Sequence, residues 1–249
     1  MPRPFAIHYD LLYADKNYAG DIKVLARLAA PQSIADSRVL EIGAGTGNHT
    51  ARLTKLAKSV LSIEIDPDFA DVLETKMRVD WPVNLRFERR PIAEIDEHGF
   101  DVAVALFHVL NYIGPNDLSD FCASVAARLR PGGIFIADTW NGIAALRDPP
   151  RREVRRKQAA GKQILQRMEP YFQPSDRRLW LDYTIEISDE NSAQSFGERL
   201  SLYLWSPEEL EAALRHAGFA TVRVWDYRAF PEPARPDSWQ LWVMAKMAQ

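Results

Sequence analysis

The sequence predicts an α/β protein built on a doubly wound, mostly parallel sheet of seven strands, with an inserted antiparallel β segment. Three observations predict it. Apolar strand-like runs alternate with helical patterns five times between residues 38 and 140, the rhythm of a parallel sheet covered by helices. Glycines at alternate positions, Gly43, Gly45 and Gly47, follow the first of these runs, where such a sheet turns into its first helix. After residue 140 the rhythm changes to aromatic-rich alternating runs, before one capped helix and two last strands close the chain.

The elements follow in order. DIKVLARLAA (21–30) carries apolar side chains at helical spacing and stops before Pro31. RVLEIG (38–43) is short, apolar and closed by glycine, as a buried strand should be. NHTARLTKLAK (48–58) sets Leu53 and Leu56 at a helical interval, with Asn48 as the expected N-cap. SVLSIEID (59–66) is the next strand, and Pro67 suits the first turn of a helix reaching Lys76. VNLRFER (83–89) and FDVAVALFHVL (100–110) are two further strands. The spacing then predicts a helix over 115–129, with Pro115 in its first turn. RPGG (130–133) closes it ahead of the strand GIFIADTW (133–140).

RREVRRKQAAGK (151–162) is a polar, strongly basic run. QILQRMEPYFQ, RLWLDYTIEIS and SFGERLSLYLW, within 163–205, alternate as three antiparallel strands separated by turn residues. SPEELEAALRHAGF (206–219) has Ser206 as cap, Pro207 at the first position, Glu209 completing a capping box and Gly218 as stop. ATVRVWDY (220–227) and SWQLWVMAKM (238–247) are the last strands. There is no internal repeat, low-complexity tract or Gly/Ser-rich linker, so the chain reads as one domain.

Composition narrows the function classes. At 249 residues the chain can bury a full core. A net charge of −3 gives no global attraction to nucleic acid or to an anionic membrane. The single cysteine, Cys122, sits in an apolar helical pattern and suits a reducing compartment. The first twenty residues hold no apolar core of signal-peptide length, and no run is long enough to span a bilayer. A cytoplasmic location and no membrane partner are therefore expected. His8, His49, His98 and His216 share no spacing that suggests a metal site, so no metal is expected.

A glycine loop between a buried strand and a helix offers backbone N–H groups to a ligand, because glycine takes positive φ and has no Cβ in the way. Glu64 ends the next strand, 21 residues after Gly43. In a strand–helix–strand unit that places a carboxylate beside a ribose, where it accepts both hydroxyl protons. Close backbone contact plus ribose means a nucleoside-bearing cofactor. The dinucleotide fingerprint is G-x-G-x-x-G, whereas here the spacing is G-x-G-x-G and Asn48 holds the third fingerprint position.

EIGAGTGNHT resembles the first motif of class I S-adenosylmethionine-dependent methyltransferases, which commonly reads E-x-G-x-G-x-G. The resemblance extends over IEID, FDVAVALFHVLNYI, RPGGIFIAD and EELEAALRHAGF in the family's order. It implies a Rossmann-like methyltransferase fold and S-adenosyl-L-methionine as cofactor. Glu41, Gly43, Ala44 and Gly45 would line its methionine half. Glu64 would hold the ribose, Ile65 would flank the adenine, and Ile92 would offer its backbone N–H to the adenine edge. Leu106 and Phe107, after the fourth strand, complete the implied cofactor pocket. One position departs: where many members carry a Gly-Asp pair, ERRPIAEI (88–95) has Arg90 and Pro91.

The acceptor belongs past the carboxyl ends of the fourth and fifth strands, where such sheets bind ligands. Phe107, His108, Asn111, Tyr112, Asp138, Trp140 and Asn141 fall there. His108 is the candidate general base, because imidazole is the side chain best suited to take up a proton near neutral pH and this one falls just after a strand. Asp138 is placed to orient an acceptor hydroxyl or amine, with Tyr112, Trp140 and Asn141 as further acceptor contacts. HYDLLYADKNYAG (8–20) resembles the start of the sugar and small-amine methyltransferases, including sugar-amine and glycan-cluster enzymes, whose YD-x-x-Y forms a lid. By that resemblance Tyr18 meets the cofactor, and Tyr9 and Tyr13 meet the acceptor. From Arg147 to Arg178 there are ten Lys or Arg against four Asp or Glu, which suits an anionic partner.

The expected activity is methyl transfer at oxygen or nitrogen to a small polar acceptor, such as a nucleotide-linked sugar or glycan precursor. The segments are a lid (1–30), a cofactor core (31–140), an acceptor-covering insertion (141–205) and the last helix and strands (206–249). An RNA methyltransferase and a non-catalytic cofactor-fold binding protein are the alternatives. A nucleic-acid partner is disfavoured by the overall charge and by the lack of an N-P-P-Y-type motif. Assembly as a homodimer is compatible with this reading.

Overall fold

The computed structural model describes every residue except Pro174. Two N-terminal helices, α1 (Pro4–Leu12) and α2 (Tyr18–Ala29), lead into β1 (Arg38–Ile42), α3 (Thr50–Leu53), β2 (Ser59–Ile63), α4 (Pro67–Met77), β3 (Leu85–Glu88) and β4 (Phe100–Ala105). Helix α5 (Leu118–Arg128), β5 (Leu129–Trp140) and α6 (Gly142–Arg147) precede four long strands, β6 (Glu153–Ala159), β7 (Lys162–Gln173), β8 (Arg178–Ser188) and β9 (Ala193–Tyr203). Helix α7 (Pro207–His216), β10 (Phe219–Asp226) and β11 (Gln240–Met247) complete the chain.

The main sheet has seven strands in the order β10-β11-β5-β4-β1-β2-β3. The five strands from β3 to β5 pair in parallel, while β11 pairs antiparallel with both β5 and β10. Alternation feeds two cores. Leu40 and Ile42 of β1 join Leu210 and Leu214 of α7 on one face, and Val39 joins Leu25 of α2 and Leu73 of α4 on the other. A second, antiparallel sheet runs β6-β7-β8-β9. Its inner face packs Ile164, Ile185 and Ile187 against Phe5 and Leu12 of α1, which sets that helix between α4 and the four-stranded sheet.

Three elements depart from expectation, and a fourth segment gains one. The helix after the glycine loop is four residues long rather than 48–58, and Asn48 does not cap it. Leu56 is 44% exposed and beyond Leu53 only the small Ala57 is buried, so little apolar surface holds the segment helical. Strand β4 ends at Ala105, because Phe107 and His108 take φ of 66° and 67°, which no strand accommodates. Pro115 lies in a turn closed by Asp117 N–H on the Gly114 carbonyl, and α5 begins only at Leu118. The basic run at 151–162 is largely strand β6, an edge with Val154, Arg156 and Gln158 turned outward. The α7 capping box is as expected, with Ser206 and Glu209 bonded reciprocally.

Candidate active site

Strand β1 pairs with β2 on one side and β4 on the other, so the winding of the main sheet reverses between β1 and β4. A doubly wound sheet leaves a crevice at the carboxyl ends of such strands. Two turns meet there: the glycine loop after β1 and the Phe107–His108 turn after β4. A cavity of about 770 Å³ opens above them, enclosed by α1 and by the inner face of the four-stranded sheet.

The three glycines of the loop have different neighbours. All take positive φ, of 72°, 57° and 83° at Gly43, Gly45 and Gly47. A Cβ on Gly43 would sit 2.6 Å from Val109 Cγ2, and one on Gly47 would press on Leu73 and Met77 of α4. Around Gly45 a Cβ would meet nothing within 4 Å, since that side faces the cavity. Glu64 faces the same space, its carboxylate accepting N–H groups of Gly45 at 2.7 Å and Asp66 at 2.8 Å. Burial raises the Glu64 pKa, with the two backbone donors opposing. Ala44, Ile65, Ile92, Leu106 and Phe107 line the cavity, and Pro91 contributes its ring beside Ile92. Glu41 does not line it. Its Oε2 accepts the Ser62 and Thr50 hydroxyls in the core beneath the loop, so it braces the turn from behind.

The N-terminal helices are tied across this loop by contacts that the sequence reading missed. Asp10 accepts the Thr46 hydroxyl at 2.5 Å and the Asn48 amide at 2.7 Å, and pairs with Lys76 at 2.6 Å. Burial pushes the Asp10 pKa up, but these three donors outweigh it and hold the carboxylate below its usual range. Behind them Asp21 accepts Lys16 at 2.7 Å, meets His49 at 3.0 Å and takes the Tyr227 hydroxyl. Tyr9, Tyr13 and Tyr18 line the cavity. Burial raises all three phenols, Tyr18 to about 12. Near neutral pH they act as O–H donors and aromatic walls, not as bases. The tyrosine spacing was visible in the sequence, while the Asp10 partners and, Lys16 apart, those of Asp21 lie far along the chain.

Across the cavity, Phe107 and His108 are two consecutive non-glycine residues in the left-handed region, a conformation costing roughly 1 kcal/mol or more at each. Asp138 accepts the Phe107 N–H at 2.5 Å. His108 Nδ1 lies 3.0 Å from Asp138 Oδ2, too obliquely for a hydrogen bond, and each of these buried atoms lacks another partner. Nε2 of His108 is 3.1 Å from Gln240 Nε2. The Trp140 ring stands 5.5 Å from the imidazole, and Tyr112 is an open wall of the cavity.

Three acceptor-side expectations are corrected. Asp138, 1% exposed, lies behind His108 rather than on the cavity surface. Asn141 caps α6 through the Ile143 N–H and donates to the Ser238 carbonyl, which uses its amide internally. Asn111 is spent likewise, accepting Trp140 N–H and donating to the Tyr203 carbonyl. The walls that sequence reasoning missed are the inward positions of β6 to β8, including Arg155, Gln166, Met168 and Tyr183, and the loop residues Arg228 and Trp239. Period-two alternation could have found the strand positions. No comparable signal marks the loop.

The basic stretch is largely neutralised. Arg151, Arg152, Arg155, Lys157, Lys162, Arg167 and Arg177 each pair with a carboxylate. Arg155 alone of these seven reaches the cavity, beside its partner Glu153. Lys157 reaches α1 instead, donating to the Leu12 carbonyl.

Residues 39–133 match the model of a family described as a methyltransferase domain. A protein named probable ribosomal RNA small subunit methyltransferase A, from Methanosarcina mazei, is 35% identical over 92 residues. Those cover 36% of this chain and 33% of that protein, so the match spans about a third of the curated relative. Among solved structures, Streptomyces venezuelae DesVI superposes with a TM-score of 0.82 over 100% of both chains at 18% identity. CalS10 of Micromonospora echinaspora, an amino pentose methyltransferase solved with S-adenosylmethionine bound, superposes with a TM-score of 0.73 over 96% of both at 19% identity. Residues 39–133 thus resemble a methyltransferase domain, and the chain as a whole has the Rossmann-like fold of these solved methyltransferases.

Proposed function

We propose that this chain transfers a methyl group from S-adenosylmethionine to a nitrogen or oxygen of a small polar acceptor, such as a nucleotide-linked sugar or glycan precursor. The observation that carries the reading is Gly45. It is the one loop glycine whose missing side chain opens on the cavity, and Glu64 faces the same space. That cradle fits a ribose-bearing ligand with its backbone-side edge against the loop. When bound, the sulfonium supplies an already activated methyl group. The chain's own residues then have three tasks. Glu64 accepts ribose hydroxyls, the aromatic wall from Tyr9 to Trp140 excludes water and aligns the acceptor, and His108 takes the acceptor's proton.

Two features favour a small acceptor over RNA. The cavity lies beneath α1, between the main sheet and the inner face of β6 to β9. The basic stretch is mostly paired, leaving little free positive surface for a phosphate backbone. The amino pentose substrate class of CalS10 agrees with this choice. The ribosomal RNA name of the curated relative supports the other reading over the third of its length that matches.

Incubation with methyl-labelled S-adenosylmethionine, a bacterial metabolite extract and ribosomal RNA at low salt decides between them. Label in the small-molecule fraction is expected. Label only in RNA would overturn the acceptor, and label in neither would leave a binding protein.

A further inference from the structure

We propose that Asp138 is a positioning residue for the reaction: it fixes the Phe107–His108 turn and sets the His108 tautomer so that Nε2 carries the free lone pair. The inference rests on the methyl-transfer reading and names what makes His108 competent as its base.

The argument starts from two buried atoms. His108 Nδ1 and Asp138 Oδ2 are both sealed from solvent, lie 3.0 Å apart and have no other partner. A buried donor or acceptor left unpaired is costly, so buried polar groups in folded proteins are nearly always paired. Here each atom has one candidate partner, the other. A small rotation of the imidazole aligns them, and only Nδ1 carrying the proton then satisfies both, because an ionised carboxylate can only accept. The other carboxylate oxygen is committed to the Phe107 N–H at 2.5 Å, so the carboxylate cannot turn away. One side chain thereby clamps the two left-handed residues and the ring they present.

The remaining nitrogen follows from this. Nε2 is unprotonated and accepts from the Gln240 amide 3.1 Å away. Around the imidazole pack the Phe107 and Trp140 rings, and among the described residues Asp138 is the charged side chain in contact with it. An acceptor displacing Gln240 meets a lone pair rather than an N–H. Its proton then moves to Nε2 as the new bond to the methyl carbon forms and the carbon–sulfur bond breaks. The imidazolium so formed lies against the Asp138 carboxylate.

Long-range proton–nitrogen correlation spectra of the ¹⁵N-labelled full chain test this without knowledge of the acceptor. His108→Asn assigns the ring by the signals that vanish. In the unmodified protein at neutral pH, Nδ1 should resonate as the protonated nitrogen and Nε2 as the free one. That is the reverse of free imidazole's preference in the histidine side chain. Asp138→Asn keeps an oxygen for the Phe107 N–H and puts an amide donor against Nδ1, so it should switch the tautomer. Nε2 protonated in the unmodified protein overturns the proposal, as does an unchanged tautomer in a folded Asp138→Asn. If that variant does not fold, the unmodified spectrum still decides. Calorimetry with S-adenosylhomocysteine on the same samples separates the two claims. Failure to bind it would count against the methyl-transfer reading and leave the tautomer result standing.

Discussion

Two turns at the carboxyl ends of neighbouring parallel strands reach positive φ by different routes. After β1 the chain uses Gly43, Gly45 and Gly47, which enter that region at little steric cost. After β4 it uses Phe107 and His108, which do not. The glycine turn gives up side chains so that something else can come close. Val109 occupies the space at Gly43, α4 that at Gly47, and the cavity that at Gly45. The second turn keeps two aromatic side chains and bears the strain of aiming them, held by the Asp138 bond to Phe107. One turn is built to be approached and the other to present. They also interlock, because Val109, which fills the gap at Gly43, follows directly on His108.

Substitutions can break or sharpen this contrast. The largest effect belongs to His108→Ala, which should lower turnover by roughly 10²–10⁴-fold, the usual reach of a positioned general base. Its cofactor affinity should change little, and equal turnover would remove His108 from the chemistry. Next, Gly45→Val should weaken S-adenosylmethionine binding by roughly a hundredfold or more in a calorimetric titration. It puts a branched side chain into the approach path at a strained φ of 57°. Undiminished affinity would mean that the ligand does not lie against the loop.

A smaller effect is expected at the latch between α1 and the glycine loop. Asp10→Ala should cost roughly tenfold in cofactor affinity, the scale of one or two partly exposed charge-assisted hydrogen bonds. Folding lowers the Asp10 pKa. The latch is therefore intact above the unfolded value of about 3.9 and is lost as the pH falls through the folded value. Hydrogen exchange in α1 should accelerate over that acid range in the unmodified protein and be fast throughout in the variant.

The smallest effect is the most diagnostic of the contrast itself. His108→Gly should be more stable than His108→Ala by about 1 kcal/mol, since glycine relieves the left-handed strain. Gly43→Ala should destabilise, being left-handed at φ 72° and 2.6 Å from Val109 Cγ2. Denaturant melts read both, and a His108→Gly variant less stable than His108→Ala would argue that the second turn is not strained.

The contrast also explains what the sequence made legible. Alternating strands and helices, the glycine spacing and Glu64 announce themselves through local pattern, and the seven-stranded architecture and most of the cofactor-side lining follow from them. The Phe107–His108 turn does not, because nothing in FDVAVALFHVL departs from a strand pattern. Its conformation depends on Asp138, 31 residues away. Asp138 and Asn141 read as ligand contacts from their places at a strand end, and Glu41 from the family resemblance of the glycine loop. Their side chains are instead consumed by backbone groups and hydroxyls on other elements. The pairing of the basic stretch was only partly legible: Arg151 and Arg155 meet carboxylates close by in sequence, whereas Lys157, Arg167 and Arg177 meet ones on the N-terminal segment, the neighbouring strand and α7.

The central claim is that the space beside Gly45 and Glu64 takes S-adenosylmethionine. Calorimetric titration of the unmodified chain with S-adenosylmethionine and, separately, with NAD tests it most directly. The expected result is saturable one-to-one binding of S-adenosylmethionine and weaker or no binding of NAD. Tighter binding of NAD, or no binding of S-adenosylmethionine, would contradict it.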